Sequence, residues 1–222
     1  MRDHCSTLPD CGSPLLNPPG HLRSPLTRRN HEDLARLESA FTPDFSGPTR
    51  PECRLTTTRL SPSWHLALLN TFLGGGAIHG GLDEATLHQL AAFLDDSAVA
   101  QANVILALHH PPVEPAGKLP PWGNNCLVDG ADKLVALLEA RPQCKVAVHG
   151  HLHADVVKHV GQCTIYCTPS TCTQTVVQSD TWQKDTASLP GFRVLRLHAD
   201  GSVDTALHRV DCSHACVPSA EP

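Results

Sequence analysis

Cys144-Lys145-Val146-Ala147-Val148-His149-Gly150-His151-Leu152-His153 is the stretch that decides the reading of this chain. An apolar, β-branched run that stops abruptly in Gly-His-Leu-His predicts a buried strand handing metal ligands to a loop at its C-terminal edge. Two imidazoles one residue apart can point to different ions, so the spacing suits a two-metal centre better than one closed tetrahedral site. Gly150 is expected to let the backbone approach that site and turn where a side chain would hinder it. A buried strand that merely ends in polar residues gives the same short pattern, so the neighbouring segments have to decide.

Upstream, Asn103 to Leu108 reads as a second buried strand and runs into His109-His110-Pro111-Pro112. Two prolines cannot continue a central ladder, so this strand must stop with its histidines at the sheet edge. One of the pair is expected to be a ligand and the other at most a partner behind it. A helix over 131–140, with Leu134, Leu137 and Leu138 on one face, separates the two strands. Earlier, Trp64 to Asn70 predicts a central strand opening into Gly74-Gly75-Gly76, and Arg54 to Arg59 a candidate edge strand. Gly80-Gly81 reads as a turn before a helix that starts at Asp83-Glu84 and carries Leu87, Leu90, Ala91 and Leu94. A short helix is expected just after Asn30-His31, where an acidic first turn precedes Leu34, Leu37, Ala40 and Phe41. The irregular segment through Pro120-Asn125 reads as an active-site cover or as disorder. Downstream come two short strands, 155–160 and 162–167, joined near Gly161, then a polar stretch over 168–178. A closing hairpin pairs 192–197 with 203–210 around Ala199-Asp200-Gly201-Ser202. Residues 1–29 show neither alternation nor helical periodicity and read as a disordered or non-native segment. Residues 30–210 form one expected domain, and 211–222 a flexible tail.

The 222 residues are 41% hydrophobic and 18% charged, enough for one sizeable core. A net charge of −5 without a long Lys/Arg run argues against a polymeric nucleic acid or an anionic membrane as partner. The Val104-Leu108 run is far too short for a membrane span and the N-terminus lacks an apolar signal core, so a cytoplasmic location is expected. Cys144, Cys163 and Cys167 fall in or beside apparent core strands, and no Cys-x-x-Cys pair occurs, so most cysteines read as small buried hydrophobes. The tail Cys212-Ser213-His214-Ala215-Cys216 offers too few donors near the chain end to read as a zinc site.

Asn30 and His31, His109, and His151 with His153 thus sit at segment ends that an α/β sheet can gather along one edge. An amide oxygen and neutral imidazoles bind divalent first-row metals. Two such ions about 3.5–4 Å apart would activate a bridging hydroxide and clamp the oxygens of a phosphoryl centre. Phosphoester hydrolysis suits that arrangement. His31 is placed to donate a proton to a leaving alkoxide or to stabilise transition-state charge.

Asn30-His31-Glu32-Asp33, His109-His110-Pro111-Pro112 and Gly150-His151-Leu152-His153 resemble the last three blocks of the calcineurin-like metallophosphoesterases. Leu69-Asn70, Gly80-Gly81-Leu82 and Gln89-Leu90 resemble the class III cyclic-nucleotide phosphodiesterase branch. Thr168-Pro169-Ser170-Thr171-Cys172-Thr173-Gln174, Pro190-Gly191-Phe192-Arg193 and Leu197-His198-Ala199-Asp200-Gly201 are similar to its bacterial 3′,5′-cyclic-AMP phosphodiesterase subgroup. The resemblance covers 30–210. It implies an α/β fold, a four-layer αββα sandwich with the metal site at the sheet edges, and a cyclic nucleotide as substrate. It also implies two divalent ions (Mn, Fe, Mg or Zn) in the intact family site. Carried over residue by residue, it makes Asn30, His109 and His151 ligands of the second metal, His153 a ligand of the first, and His31 the catalytic histidine. The family's opening blocks, Asp-x-His and Gly-Asp-x-x-Asp, have no counterpart in residues 1–29, and Arg29 stands where the family has Gly before Asn-His. On that reading the N-terminal strands are missing and this chain holds at most one metal. Hydrolysis of cyclic AMP to AMP leads, beside a metallophosphoesterase of another phosphoester and an inactive remnant serving as a binding module.

Overall fold

The computed structural model describes residues 16–17, 21–22, 54–74, 77–115, 126–177 and 183–211. The expected helix after Asn30, the loop through Pro120-Asn125 and the tail therefore lie outside the described residues. Within 1–29, β1 (Leu16–Asn17) and β2 (His21–Leu22) pair antiparallel.

The β-branched and leucine-rich runs form the strands expected of them: β3 (Leu55–Ser61) and β4 (Trp64–Leu69). A short β5 (Gly80–Gly81) precedes α1 (Glu84–Asp95) and α2 (Ser97–Ala100). Then come β6 (Asn103–Ala107), β7 (Leu127–Asp129), α3 (Ala131–Ala140) and β8 (Cys144–His149). The chain continues through β9 (Val156–Val160), β10 (Cys163–Cys167), β11 (Gln174–Thr175) and β12 (Lys184–Asp185). It closes with β13 (Gly191–Leu197) and β14 (Val203–Arg209).

Six strands make one sheet in the order β3-β4-β6-β8-β10-β9. The pairs β4/β6, β6/β8 and β8/β10 are parallel, and the edge strands β3 and β9 run antiparallel to their neighbours. Parallel central strands bring all their C-terminal ends to one side, so the loops after β4, β6 and β8 become neighbours.

Helix α1 starts where Asp83 accepts a hydrogen bond from the Thr86 amide at 2.8 Å, and it turns Leu87, Leu90 and Leu94 inward. These leucines, with Leu134 and Leu138 of α3, pack on Leu69, Val104, Leu106, Ala147 and Ile165 of the sheet. The other face carries a second cluster, Trp64, Leu66, Ile105 and Val146, covered by Leu195, Leu197 and Val203 of the β13–β14 hairpin. Trp64 Nε1 donates to the His198 carbonyl at 2.6 Å, and the turn glycine Gly201 (φ +88°) lies where a Cβ would meet Asn103 Oδ1 at 2.5 Å. The hairpin is therefore docked at its turn. Helix, sheet and hairpin make a mixed α/β sandwich, and three of the four expected layers lie among the described residues. No helix among these residues is long and apolar enough to cross a membrane.

One local expectation fails. Gly80-Gly81 is not a turn but a strand that pairs in parallel with β7. The glycine is needed for space: a Cβ on Gly80 would lie 2.3 Å from His110 Nδ1 and 2.9 Å from His110 Cβ.

Candidate metal centre

Leu108 continues from β6 with its amide bonded to the Val148 carbonyl at 3.1 Å, and His109 and His110 follow at the sheet edge. Both are buried, His109 to 7% exposure and His110 to none. His110 is fixed from two sides. Thr71, two residues beyond β4 and itself fully buried, places its hydroxyl 2.7 Å from His110 Nδ1, and the Gly80 backbone lies against the ring. Burial pushes the imidazole down to about 4, an effect opposed in part by the Ile78 backbone and reinforced by His79. The ring is thus neutral at pH 7, the form in which histidine binds metals. Its Nε2 is buried and meets no hydrogen-bond partner among the described residues.

The segment after β8 is built differently. His151 (φ 68°) and His153 (φ 49°) are the only described non-glycine residues in left-handed backbone. Such backbone is sparsely populated for side-chain-bearing residues and persists where its surroundings impose it. The tethers are visible. The Leu152 amide donates to the Gly150 carbonyl at 2.7 Å, the Thr175 amide to the His153 carbonyl at 3.2 Å, and the Thr175 hydroxyl to the Leu152 carbonyl. The Cys167 thiol, pushed up to about 12 chiefly by burial, reaches the Gly150 carbonyl at 3.4 Å. Leu152 and Ala154 are buried, which anchors the loop between and beyond its two histidines. Gly150 needs its missing side chain less than expected, since a Cβ there would meet the His109 ring at an ordinary 3.7 Å.

The two strand ends meet. His151 Nδ1 lies 3.2 Å from His109 Nε2, and one donor nitrogen each of His109, His110 and His151 falls within 4.8 Å of the others. The ring centroids are 4.7–5.0 Å apart. Of the expected ligands, then, the structure brings together His109 and His151. His153 stands outside this group, and Asn30 and His31 lie outside the described residues. His110 joins the cluster although the sequence reading allowed it at most a place behind His109. The only local signal for it was the doubled histidine, because Thr71 and Gly80, which fix it, are 30 residues or more away in the chain. The donor set is three imidazoles, and that of His110 has a buried, unpartnered nitrogen. It fits a divalent first-row ion, which would satisfy that nitrogen and suits imidazole donors.

No family model matches the chain. Individual proteins do. It is 32% identical over 183 residues to the 3′,5′-cyclic adenosine monophosphate phosphodiesterase CpdA of Vibrio vulnificus, spanning 82% of this chain and 61% of that protein. It is 31% identical to a 3′,5′-cyclic-nucleotide phosphodiesterase of Nostoc sp., over 71% of this chain and 56% of that one. With the CpdA of Escherichia coli the figures are 32%, 68% and 52%. Among solved structures, a dimetal phosphatase from Danio rerio matches with a TM-score of 0.50 at 13% identity, over 76% of this chain and 67% of that one. The resemblance to the calcineurin-like metallophosphoesterases holds in sequence and in fold. The chain spans about half to three fifths of the length of these three curated relatives. Within the metallophosphoesterase fold, the His109–His110–His151 cluster occupies the C-terminal edge of a parallel sheet, where ligands bind in open α/β architectures.

Proposed function

We propose that the protein is a metal-dependent phosphodiesterase that hydrolyses 3′,5′-cyclic AMP to AMP. The observation that carries this reading is the convergence of His109, His110 and His151 at one sheet edge, in a chain about one third identical to cyclic-AMP phosphodiesterases. His109, His110 and His151 would hold a divalent ion, with Asn30 as a further donor and His153 directed to a second metal position. An all-imidazole described set favours zinc or iron over magnesium. When bound, the ion supplies Lewis-acid polarisation of a phosphoryl oxygen and an activated water at neutral pH. This chain's own part is to hold the imidazoles in place and, through His31, to deliver a proton to the 3′ oxygen as its bond to phosphorus breaks. The phosphoesterase domain is taken as 30–210. A cytoplasmic setting is proposed with it, supported by the five described cysteines, all of them free.

The test uses the 222-residue chain stripped of metal and reloaded with Zn²⁺ or Mn²⁺, assayed against cyclic AMP and bis(p-nitrophenyl) phosphate. Metal-dependent release of AMP is expected, abolished by His109→Ala. Hydrolysis of the aryl ester alone would assign another phosphoester as substrate. Nucleotide binding without turnover of either compound would make the chain a binding module.

A further inference from the structure

The first half of strand β13 has its polarity inverted. Along Gly191–Leu197 exposure alternates so that Phe192 and Val194 face outward, 45% and 46% exposed, while Arg193 shares the inward side with Leu195 and Leu197. Across the hairpin, Thr205 of β14 pairs with Leu195, two residues along from the Arg193–Leu207 pair, so it stands on that same side. An arginine at an inward position between apolar neighbours is a departure that burial alone does not favour. The Arg193 side chain is only 5% exposed and its Nε meets no acceptor among the described residues. A Met or Leu would fill that place without a buried charge.

What the guanidinium touches explains its presence. One terminal nitrogen donates to Asp155, two residues beyond His153, and the other donates to Thr205 Oγ1 at 2.8 Å. Its carbon lies 4.8 Å from the centre of the Tyr166 ring. Tyr166 is on β10, paired with Val148 of β8 just before the histidine loop begins. The fork and flat face of arginine thus bind three elements at once, which a lysine cannot reproduce.

We propose that Arg193 is a positioning residue for the metal centre. Through Asp155 it ties the end of the loop that carries His151 and His153 in left-handed backbone to the docked β13–β14 hairpin. The role rests on reading the histidine cluster as a metal site. It acts at one remove, as supporting contacts do when they orient ligands, and losing such a contact weakens metal binding by about 10–100-fold.

The experiment compares the 222-residue chain with Arg193→Met and Asp155→Asn, singly and together. Co²⁺ is titrated by its visible absorption, and amide hydrogen exchange is followed on the metal-free proteins. Each single variant should bind Co²⁺ about 10–100-fold more weakly. The double variant should be no worse than the weaker single one, because the two residues share one link. Amides of 150–155 should exchange faster while those of β6 and α1 keep their protection. Unchanged Co²⁺ affinity with unchanged loop protection overturns the proposal. Protection lost equally from β6 and α1 also overturns it, by making Arg193 a general packing residue. If the unaltered chain takes up no Co²⁺, the metal reading falls, and the exchange data alone decide whether Arg193 holds the loop.

Discussion

At the end of β6, His109 and His110 are buried, and His110 sits between the Thr71 hydroxyl and the Gly80 backbone with no room for an added methyl group. At the end of β8, His151 and His153 are half-buried on left-handed backbone and kept there by Thr175, Cys167 and the segment leading to Asp155. The first pair is placed by packing, which leaves it one position. The second is placed by tethers acting against the local preference of the backbone. A cluster assembled from one rigid side and one restrained side teaches where each is vulnerable: the β6 side to added volume, the β8 side to the loss of a polar contact.

The largest expected effect tests the rigid side. Gly80→Ala puts a Cβ 2.3–2.9 Å from three atoms of His110, one of them His110 Cβ, so the whole residue must shift. Overpacking of this kind costs about 1–3 kcal/mol. For a chain of this size that lowers the melting temperature by about 2–4 °C per kcal/mol, measurable by circular dichroism. Metal affinity should fall with it. An alanine there that melts and binds like the unaltered protein would mean that the β6 side is not packed as rigidly as the geometry shows.

On the restrained side, His151 and His153 should differ. His151→Ala removes a member of the three-histidine cluster and should weaken Zn²⁺ binding by about tenfold or more, as read by isothermal titration. His153→Ala should weaken it less. Equal losses would show that both imidazoles serve one ion.

Thr71→Val keeps the shape but removes the hydroxyl that meets His110 Nδ1. Loss of one such hydrogen bond costs about 0.5–1.5 kcal/mol, to be measured by urea unfolding of the metal-free chain. Metal affinity should fall less than in His151→Ala, since the ring remains boxed in by Gly80. The smallest effect sharpens the contrast between the two glycines. Gly150→Ala meets only ordinary contact with the His109 ring and should stay within about 0.5 kcal/mol of the unaltered protein. Should Gly150→Ala prove as damaging as Gly80→Ala, the division into a packed side and a tethered side would not stand.

Several of these features were legible residue by residue. Strands β4, β6 and β8 and helices α1 and α3 follow from hydrophobic periodicity, and Pro111-Pro112 marks where β6 must stop. His109 and His151 could be placed at neighbouring strand ends because parallel strands present the same end on the same side. The expectation for Gly150 misjudged which glycine matters, and Gly80-Gly81 was read by its local turn preference. Neither error was avoidable locally, since the volume that excludes a side chain at Gly80 belongs to His110, 30 residues further on. Arg193 was hidden more deeply. Alternation in Phe192-Arg193-Val194-Leu195 offers two faces, and the apolar Phe192 and Val194 would be the natural choice for the inward one.

By itself the sequence determined the main strands and helices, where β6 and β8 end, and two of the metal-ligand candidates that now stand together, because each depends on periodicity and chain breakers within a dozen residues. Tertiary structure alone decided that His110 belongs to the cluster, that Gly80 rather than Gly150 is the glycine its geometry requires, and that an arginine faces inward. Each of those depends on atoms brought into contact from separate segments of the chain, where volume, burial and hydrogen-bond partners are set by sheet register and docking and leave no mark on the local pattern.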